Sequence, residues 1–429
     1  MNKLFPSLLL LLLTVCGMAS AVTPEDFIST ESGKFIRDGK PYYYIGTNFW
    51  YGPILASEGQ GGNLQRLEHE LDSLKDLGID NLRVLAGADA GSDSVVSVTP
   101  YLQPEPGVLN DTLLVGLDRF LVELAKRKMV AVIYLNNSWD WSGGYGFYLK
   151  NAGMGDSPST LPANGYSNYV NYAKQFVMND SAKNMFYNYV RKIVSRKNSI
   201  TGKPYSEDPT IMSWQIGNEP RSFSNEGKEQ FAEFIFKTAG IIKEIDKNHM
   251  VSCGSEGMVG CENDIRLFSR IHMGRALDYL TIHVWPKNWG WCSNTRLKED
   301  LPNVYQNATD YINKHLILAK KMIKPIVVEE FGYPRDRSYY EPGSRVTARD
   351  AFYDYMFQKV VDSKNTLNYL AGCNFWGWGG SGRPSQERWQ PGDDYLCDPP
   401  HEPQGWYSVF NCDTTTIRVI SNATNQLKQ

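Results

Sequence analysis

Apolar residues along the chain alternate between two rhythms. Short, nearly continuous apolar runs of strand length are each followed by a longer segment in which apolar side chains recur every three or four residues, as on one face of a helix. PYYYIGTNFW (41–50) precedes a helix that places Leu64, Leu67, Leu71 and Leu74 on one face. DNLRVLA (80–86) precedes a helix over 111–128, and MVAVIYLNN (129–137) a helical region ending near Lys197. IMSWQIGNEP (211–220) precedes a helix over 228–246, and MVSCGSEG (250–257) a short one near 264–273. LDYLTIHVWP (277–286), PIVVEEFG (325–332) and LAGCNFWGWGG (370–380) complete the series, followed by helices over 303–322, 346–363 and the C-terminal segment.

Eight strands alternating with helices predict an α/β fold. The most economical arrangement is a single (β/α)8 TIM barrel with long βα loops. An open doubly wound sheet would want a glycine-rich phosphate loop after the first strand, and IGTNFWYGP is not one. Glu68, His69 and Glu70 are consecutive on a helix, point in different directions and do not converge on an ion. They predict a solvated face.

Composition narrows the partners. The 429 residues carry 44 Lys and Arg against 47 Asp and Glu, a net charge of −3, which gives no electrostatic case for nucleic acid or an anionic membrane. Residues 1–21 read as a signal peptide, with Lys3, an apolar stretch from Leu8 to Val15 and a small-residue cleavage site at Ala19-Ser20-Ala21. The expected mature protein is residues 22–429, a single exported domain with no membrane span. Val15 disfavours a lipid anchor on Cys16. Six cysteines remain, an even number that suits disulfides in an exported chain, and Cys253–Cys261 is the expected pair. No spacing among them fits a zinc site.

Strand alternation then selects the inward side chains. Met212, Trp214 and Ile216 share one face of the fourth strand, and Ser213, Gln215, Gly217 and Glu219 the other, which looks along the barrel axis. The same parity turns Arg83, His283, Trp285, Asn374, Trp376 and Trp378 inward. Of Glu329 and Glu330 only one is expected to face the axis, and alternation does not choose between them. A barrel places its active site at the carboxyl ends of the strands. Opposed carboxylates there, with an arginine, a histidine and aromatic platforms, are equipment for glycoside hydrolysis. Trp50, Trp139, Trp141, Trp285, Trp289, Trp291, Trp376 and Trp378 fall at or beyond strand ends, where indole faces suit sugar rings. Trp214 reads as a packing residue. CGSEG (253–257) lacks the first glycine of a serine-hydrolase elbow, and no H-E-x-x-H or P-loop occurs.

GNEP, HVWP, EEFG and FWGW, in that order, resemble glycoside hydrolase family 5. GKPYYYIGTNFWYG, NLRVLAG, NNSWDWSGG, IGNEPR and HVWPKNW are similar to its endo-β-1,4-mannanases. The resemblance implies Glu219 as acid/base and Glu330, immediately before Phe331-Gly332, as nucleophile. It implies that Arg83 keeps Glu330 ionised, that Asn218 holds the sugar 2-hydroxyl and that His283 lies near the pair. Trp376 becomes the platform under the reacting sugar, Arg221 a contact on the leaving-group side and Trp139 an aromatic of the cleft loop. Either Asn136 or Asn137 takes the polar position after the third strand, with Asn136 preferred. Many relatives carry Tyr where this chain has Trp285, which is expected to act as a donor and a wall. Glu219 is expected to hold its proton until glycosylation, its pKa raised by burial and by Glu330. The expected enzyme is a retaining, endo-acting hydrolase of mannan, glucomannan and galactomannan, a monomer without metal or cofactor that takes β-mannan polysaccharides and manno-oligosaccharides; an exo-acting β-mannosidase, a β-1,4-glucanase and a non-catalytic carbohydrate-binding protein are the alternatives.

Overall fold

The computed structural model describes residues 23–92, 96–161 and 165–429; the signal peptide and Cys16 lie outside them. All eight anticipated strands form, at Tyr44–Asn48, Asn81–Leu85, Val130–Tyr134, Ile211–Gln215, Met250–Ser252, Leu280–Val284, Ile326–Phe331 and Leu370–Phe375. Every residue in them is buried, which is why they read as continuous apolar runs with few polar interruptions. They make one parallel sheet in the order fifth, fourth, third, second, first, eighth, seventh, sixth. The two end strands meet across a seam. There Asp278 N donates to Val251 O (2.9 Å), His283 N donates to Glu256 O (3.1 Å), and the Asp278 carboxylate accepts from Val251 N (2.7 Å). The sheet thus closes into the (β/α)8 barrel.

The amino end of the barrel is apolar. Val130, Val132, Met250, Tyr279 and Val327 cluster there, and a small antiparallel sheet (Ser29–Glu31, Lys34–Arg37, Lys40–Tyr42) packs Phe35 beneath them. Met212 joins this inner cluster instead of facing the helices. The cause is a register shift: Ala131 lies opposite Ile211 but Val132 opposite Ser213, so an extra residue breaks strict alternation. Above the apolar floor the interior turns polar and leads into the carboxyl-end mouth.

The helix Leu64–Asp76 starts where the Asn63 side chain accepts from Arg66 N (3.0 Å) and buries Leu67, Leu71 and Leu74, while Leu64 stays exposed. Its polar side departs from the expected solvated face. His69 is exposed, but Glu70 is buried and accepts from Trp378 Nε1 (2.9 Å), Ser381 N (2.9 Å), Ser381 Oγ (2.6 Å) and Arg66 Nε (3.2 Å). Trp378 accordingly turns away from the mouth to meet it. The expected Cys253–Cys261 bridge is also absent: all six described cysteines are free thiols. Cys261 directs its thiol to Ser255, and burial lifts both thiols well above their ordinary range. Among the described residues no helix is long and apolar enough to cross a membrane.

Candidate active site

Two consecutive glutamates enter the barrel on the seventh strand because that strand bulges. Val328 pairs with Ile282 and Glu330 with His283, so two steps on one strand match a single step on its neighbour. Strict alternation would send one carboxyl outward. Instead Glu329 and Glu330 are both buried inside, 1% and 2% exposed.

Arg83, wholly buried on the second strand, meets them. Its Nη1 donates to Glu330 Oε1 (2.5 Å) and Asn48 Oδ1 (3.1 Å), Nη2 to Asn218 Oδ1 (2.8 Å) and Nε to Gln215 Oε1 (2.8 Å). The guanidinium also lies over the Tyr134 ring, 4.5 Å from its centroid. With hydrogen bonds from all three of its nitrogens, the Arg83 guanidinium is held in one pose, and it sets the pose of Glu330.

Glu219 leaves the fourth strand in the left-handed backbone region, φ +49°, a conformation costly for a residue with a side chain. The turn is held by Glu219 N donating to Gly254 O (3.0 Å), Asn218 N donating to Asn136 O (2.7 Å) and the Ser138 hydroxyl donating to Glu219 O. The result aims the Glu219 carboxyl across the mouth at Glu330. Trp139 Nε1 donates to Glu219 Oε2 (2.6 Å), and Trp285 Nε1 donates to Glu330 Oε2 (3.2 Å). Trp285 thus supplies the donor expected of it.

His283 sits between the two carboxyls, its Nδ1 2.8 Å from Glu219 Oε1 and 3.2 Å from Glu330 Oε2. Burial alone would push the imidazole pKa down, but the charges of Glu330 and Glu219 override it and lift the value to about 10. For Glu219, burial pulls the pKa up, yet the hydrogen bond and charge of His283, helped by Arg221 and Trp139, bring it below its ordinary value. The expectation of a raised Glu219 pKa is therefore corrected: His283 and Arg221 together lower it. One donor atom each from Glu219, His283 and Glu330 lie within 4.8 Å of one another. His283 Nδ1 bridges the two carboxyls and Arg83 already pairs with Glu330, so the three groups are satisfied by one another and by Arg83.

These groups open into a cavity of about 430 Å³, in the range of small-molecule sites. Trp139, Trp141, Trp285, Trp289 and Trp376 line it, as does Arg221. Trp376 stands edge-on to Trp285 (centroids 6.1 Å) and Trp141 (6.4 Å). The remaining tryptophans of the expected trail lie behind it. Trp50 is buried and donates to Cys397 O (2.8 Å), Trp378 donates to Glu70, and Trp291 packs on Trp289. Asn136 and Asn137 lie under the turn without lining the cavity. Asn137 Oδ1 accepts from Asn218 Nδ2 (3.2 Å), whereas Asn136 Oδ1 caps Asn137 N (2.6 Å).

Two features carried no recognised sequence signal. Glu256, after the fifth strand, accepts from Arg221 Nε (2.5 Å); burial raises its pKa to about 7 although Arg221 opposes it. It lay within the CGSEG stretch considered only as a failed nucleophile elbow. The second feature is the segment after the eighth strand, which brings Pro399, His401, Glu402 and Tyr407 to the cavity wall. Asp398 organises it, its oxygens accepting from Tyr407 N (2.7 Å), Gly405 N (2.8 Å) and Ser408 Oγ (2.5 Å). The segment enters past Gly377, where a Cβ would fall 1.8 Å from the Cys397 sulfur. Burial lifts the Glu402 pKa to about 8 despite nearby Lys287.

Comparison with known proteins agrees with this geometry. The chain is 27% identical over 417 residues to mannan endo-1,4-beta-mannosidase 1 of Oryza sativa subsp. japonica, covering 94% of this chain and 86% of that one. It superposes on the glycoside hydrolase family 5 mannosidase from Rhizomucor miehei with TM-score 0.86 and 32% identity, covering 95% and 98% of the two chains. The endo-1,4-beta-mannanase from Rhizomucor miehei shares the fold at TM-score 0.68 and 23% identity, covering 94% and 100%. The model described as "GH family 5 beta-mannosidase-like" matches residues 25–429, and the chain belongs to glycoside hydrolase family 5.

Proposed function

We propose that the chain hydrolyses β-1,4-mannosidic bonds with retention of configuration, with Glu330 as nucleophile and Glu219 as acid/base. The observation that carries this reading is the short gap between the carboxyls, with oxygens of Glu219 and Glu330 within 4.8 Å. Carboxyl groups about 5–5.5 Å apart suit a covalent glycosyl-enzyme, whereas an inverting pair about 6.5–9.5 Å apart leaves room for a water. Arg83 and Trp285 each donate a hydrogen bond to Glu330 and hold it aimed at the anomeric carbon. As a sugar fills the site, the proton on His283 passes across its 2.8 Å hydrogen bond to Glu219, which delivers it to the leaving oxygen. Glu219 then takes a proton from the water that releases the sugar. These steps use only the chain's own groups and substrate, without metal or cofactor.

Mannose-containing glycans are the proposed substrates, in line with the mannan endo-1,4-beta-mannosidases among the relatives and with the Rhizomucor miehei mannosidase characterised in complex with mannosyl-fructose. The geometry supports attack at the non-reducing end best. Tyr407 packs against Trp285 (centroids 5.2 Å), whose indole meets Glu330, so the Pro399–Tyr407 wall stands on the nucleophile side of the cavity. Internal attack is the second reading, favoured by the sequence motifs and the endo-acting relatives. Residues 1–21 support export, and a monomer suffices because one chain supplies both carboxyls.

Early-time proton NMR on a manno-oligosaccharide tests the mechanism. The β-anomer is expected first; initial α-product overturns retention. E219A and E330A should each lose nearly all turnover. The product profile on linear mannan separates the modes: mannose alone marks end attack, and a ladder of oligosaccharides marks internal attack.

A further inference from the structure

The bulge that turns both glutamates inward leaves Glu329 a buried carboxyl that the proposed reaction does not use. Its strongest contacts go to one side chain. Gln215 Nε2 donates to Glu329 Oε1 (2.8 Å) and Oε2 (2.7 Å), and also to Ser252 Oγ (3.0 Å). The other end of the same amide, Gln215 Oε1, accepts from Arg83 Nε at 2.8 Å. Gln215 is wholly buried on the fourth strand. We infer that Glu329 is a positioning residue, which acts through the Gln215 amide to fix the Arg83 guanidinium that holds Glu330 and Asn218.

The chemistry of the amide makes this more than a chain of contacts. The two ends of a glutamine amide are nearly equal in shape and opposite in hydrogen-bonding sense, so its partners choose its orientation. With Glu329 present, a flip would set the amide oxygen against a carboxylate and its N–H groups against a guanidinium, and both meetings are repulsive. Without Glu329 the NH2 end faces only the Ser252 hydroxyl, which donates or accepts equally well. Only the guanidinium then opposes the flip, so the reversed amide gains population, and where it forms it takes the acceptor away from Arg83 Nε. Arg83 would tilt, and its Nη1 and Nη2 would carry Glu330 and Asn218 with it. The direct ion pair is secondary, because Glu329 Oε2 lies 3.9 Å from Arg83 Nε, against 2.5 Å for the Glu330 contact. Burial raises the Glu329 pKa while Arg83 opposes it. The acceptor role survives protonation, because a neutral carboxyl keeps a carbonyl oxygen toward Gln215.

The inference rests on the reading of Glu330 as nucleophile, so a 2-deoxy-2-fluoro mannosyl fluoride is used first, with peptide mapping of the trapped intermediate. Label on Glu330 keeps that reading, and label on Glu329 ends it. Kinetics on 4-nitrophenyl β-mannoside then test Glu329, with thermal melts to verify folding. E329A should lower kcat about 10²-fold, the scale of a small misplacement of reacting groups, with KM changed less than about twofold. E329Q, which keeps a carbonyl acceptor for Gln215, should recover most of the loss. In a Q215A background E329A should cost less than about twofold more, since the relay is already cut. Equal loss from E329A in both backgrounds, an E329Q as impaired as E329A, or an E329A within twofold of wild type overturns the inference. If E329A does not fold, Q215L alone decides: a comparable kcat loss at unchanged KM supports the relay, and activity within twofold of wild type overturns it.

Discussion

Replacing His283 with Gln tests whether the imidazole is charged in the fold. His283 is wholly buried, its Nε2 has no hydrogen-bond partner among the described residues, and its Nδ1 faces two carboxylates. Desolvation and the unpartnered nitrogen oppose the charge; Glu330 and Glu219 favour it and win, lifting the pKa from 6.5 to about 10. A raised folded-state pKa gives stability that is complete below pH 6.5 and lost as pH rises through 10. The linkage amounts to about 5 kcal/mol at pH 6, about 3 at pH 8 and under about 1 at pH 10. Urea unfolding of wild type and H283Q at those three pH values measures it. Tyrosines, lysines and cysteines elsewhere titrate alike in both proteins and drop out of the difference. The stability gap should shrink by roughly 4 kcal/mol between pH 6 and pH 10. A gap constant within about 1 kcal/mol over that range would show a neutral imidazole, and the source of the acid proton would have to be sought elsewhere.

Trp285→Phe removes the indole donor at 3.2 Å from Glu330 and keeps the aromatic wall, so kcat/KM should fall about 10- to 100-fold, the worth of one hydrogen bond to a charged group; a loss below twofold would show that the contact does not act on the nucleophile. Glu70→Ala strands the Trp378 and Ser381 donors and leaves Arg66 short of its buried partner, so urea unfolding should show a loss of about 3–5 kcal/mol. A loss under about 1 kcal/mol would contradict that account. Alkylation of the unfolded, unreduced protein should label both Cys253 and Cys261, and a linked peptide in the non-reducing map would restore the bridge.

The barrel was legible because its strands are buried throughout, and Arg83, Asn218, Glu219, His283 and Trp376 because each lies on or just past a strand in recognisable company. Parity worked where the strand itself carries no extra residue, as at Arg83 and His283. It failed at Met212 and at Glu329–Glu330, where an inserted residue resets the face, and such a bulge is decided by pairing with a distant strand that a linear pattern does not contain. Glu70 and Trp378 were misread together, since each is buried only because the other is there. Glu256 and the Pro399–Tyr407 wall were missed for a related reason. Their placement depends on Arg221 and Asp398, partners 35 and 10 residues or fewer away in loops without periodicity.

The seam between the fifth and sixth strands makes this barrel a rolled strip with two hem edges, not a seamless tube. Bare strand edges invite foreign pairing, and here the Asp278 carboxylate covers one of the exposed amides, that of Val251. Breathing of the wall should begin along that line, with the amide hydrogens of Val251, Asp278 and His283 exchanging before those of the second and third strands. Because His283 N hangs from Glu256 O across the hem, each such opening loosens the proton-bearing imidazole and the carboxyl paired with Arg221 in one movement. A sugar bound across both sides would stitch the hem shut, so ligand should slow exchange there more than anywhere else in the sheet.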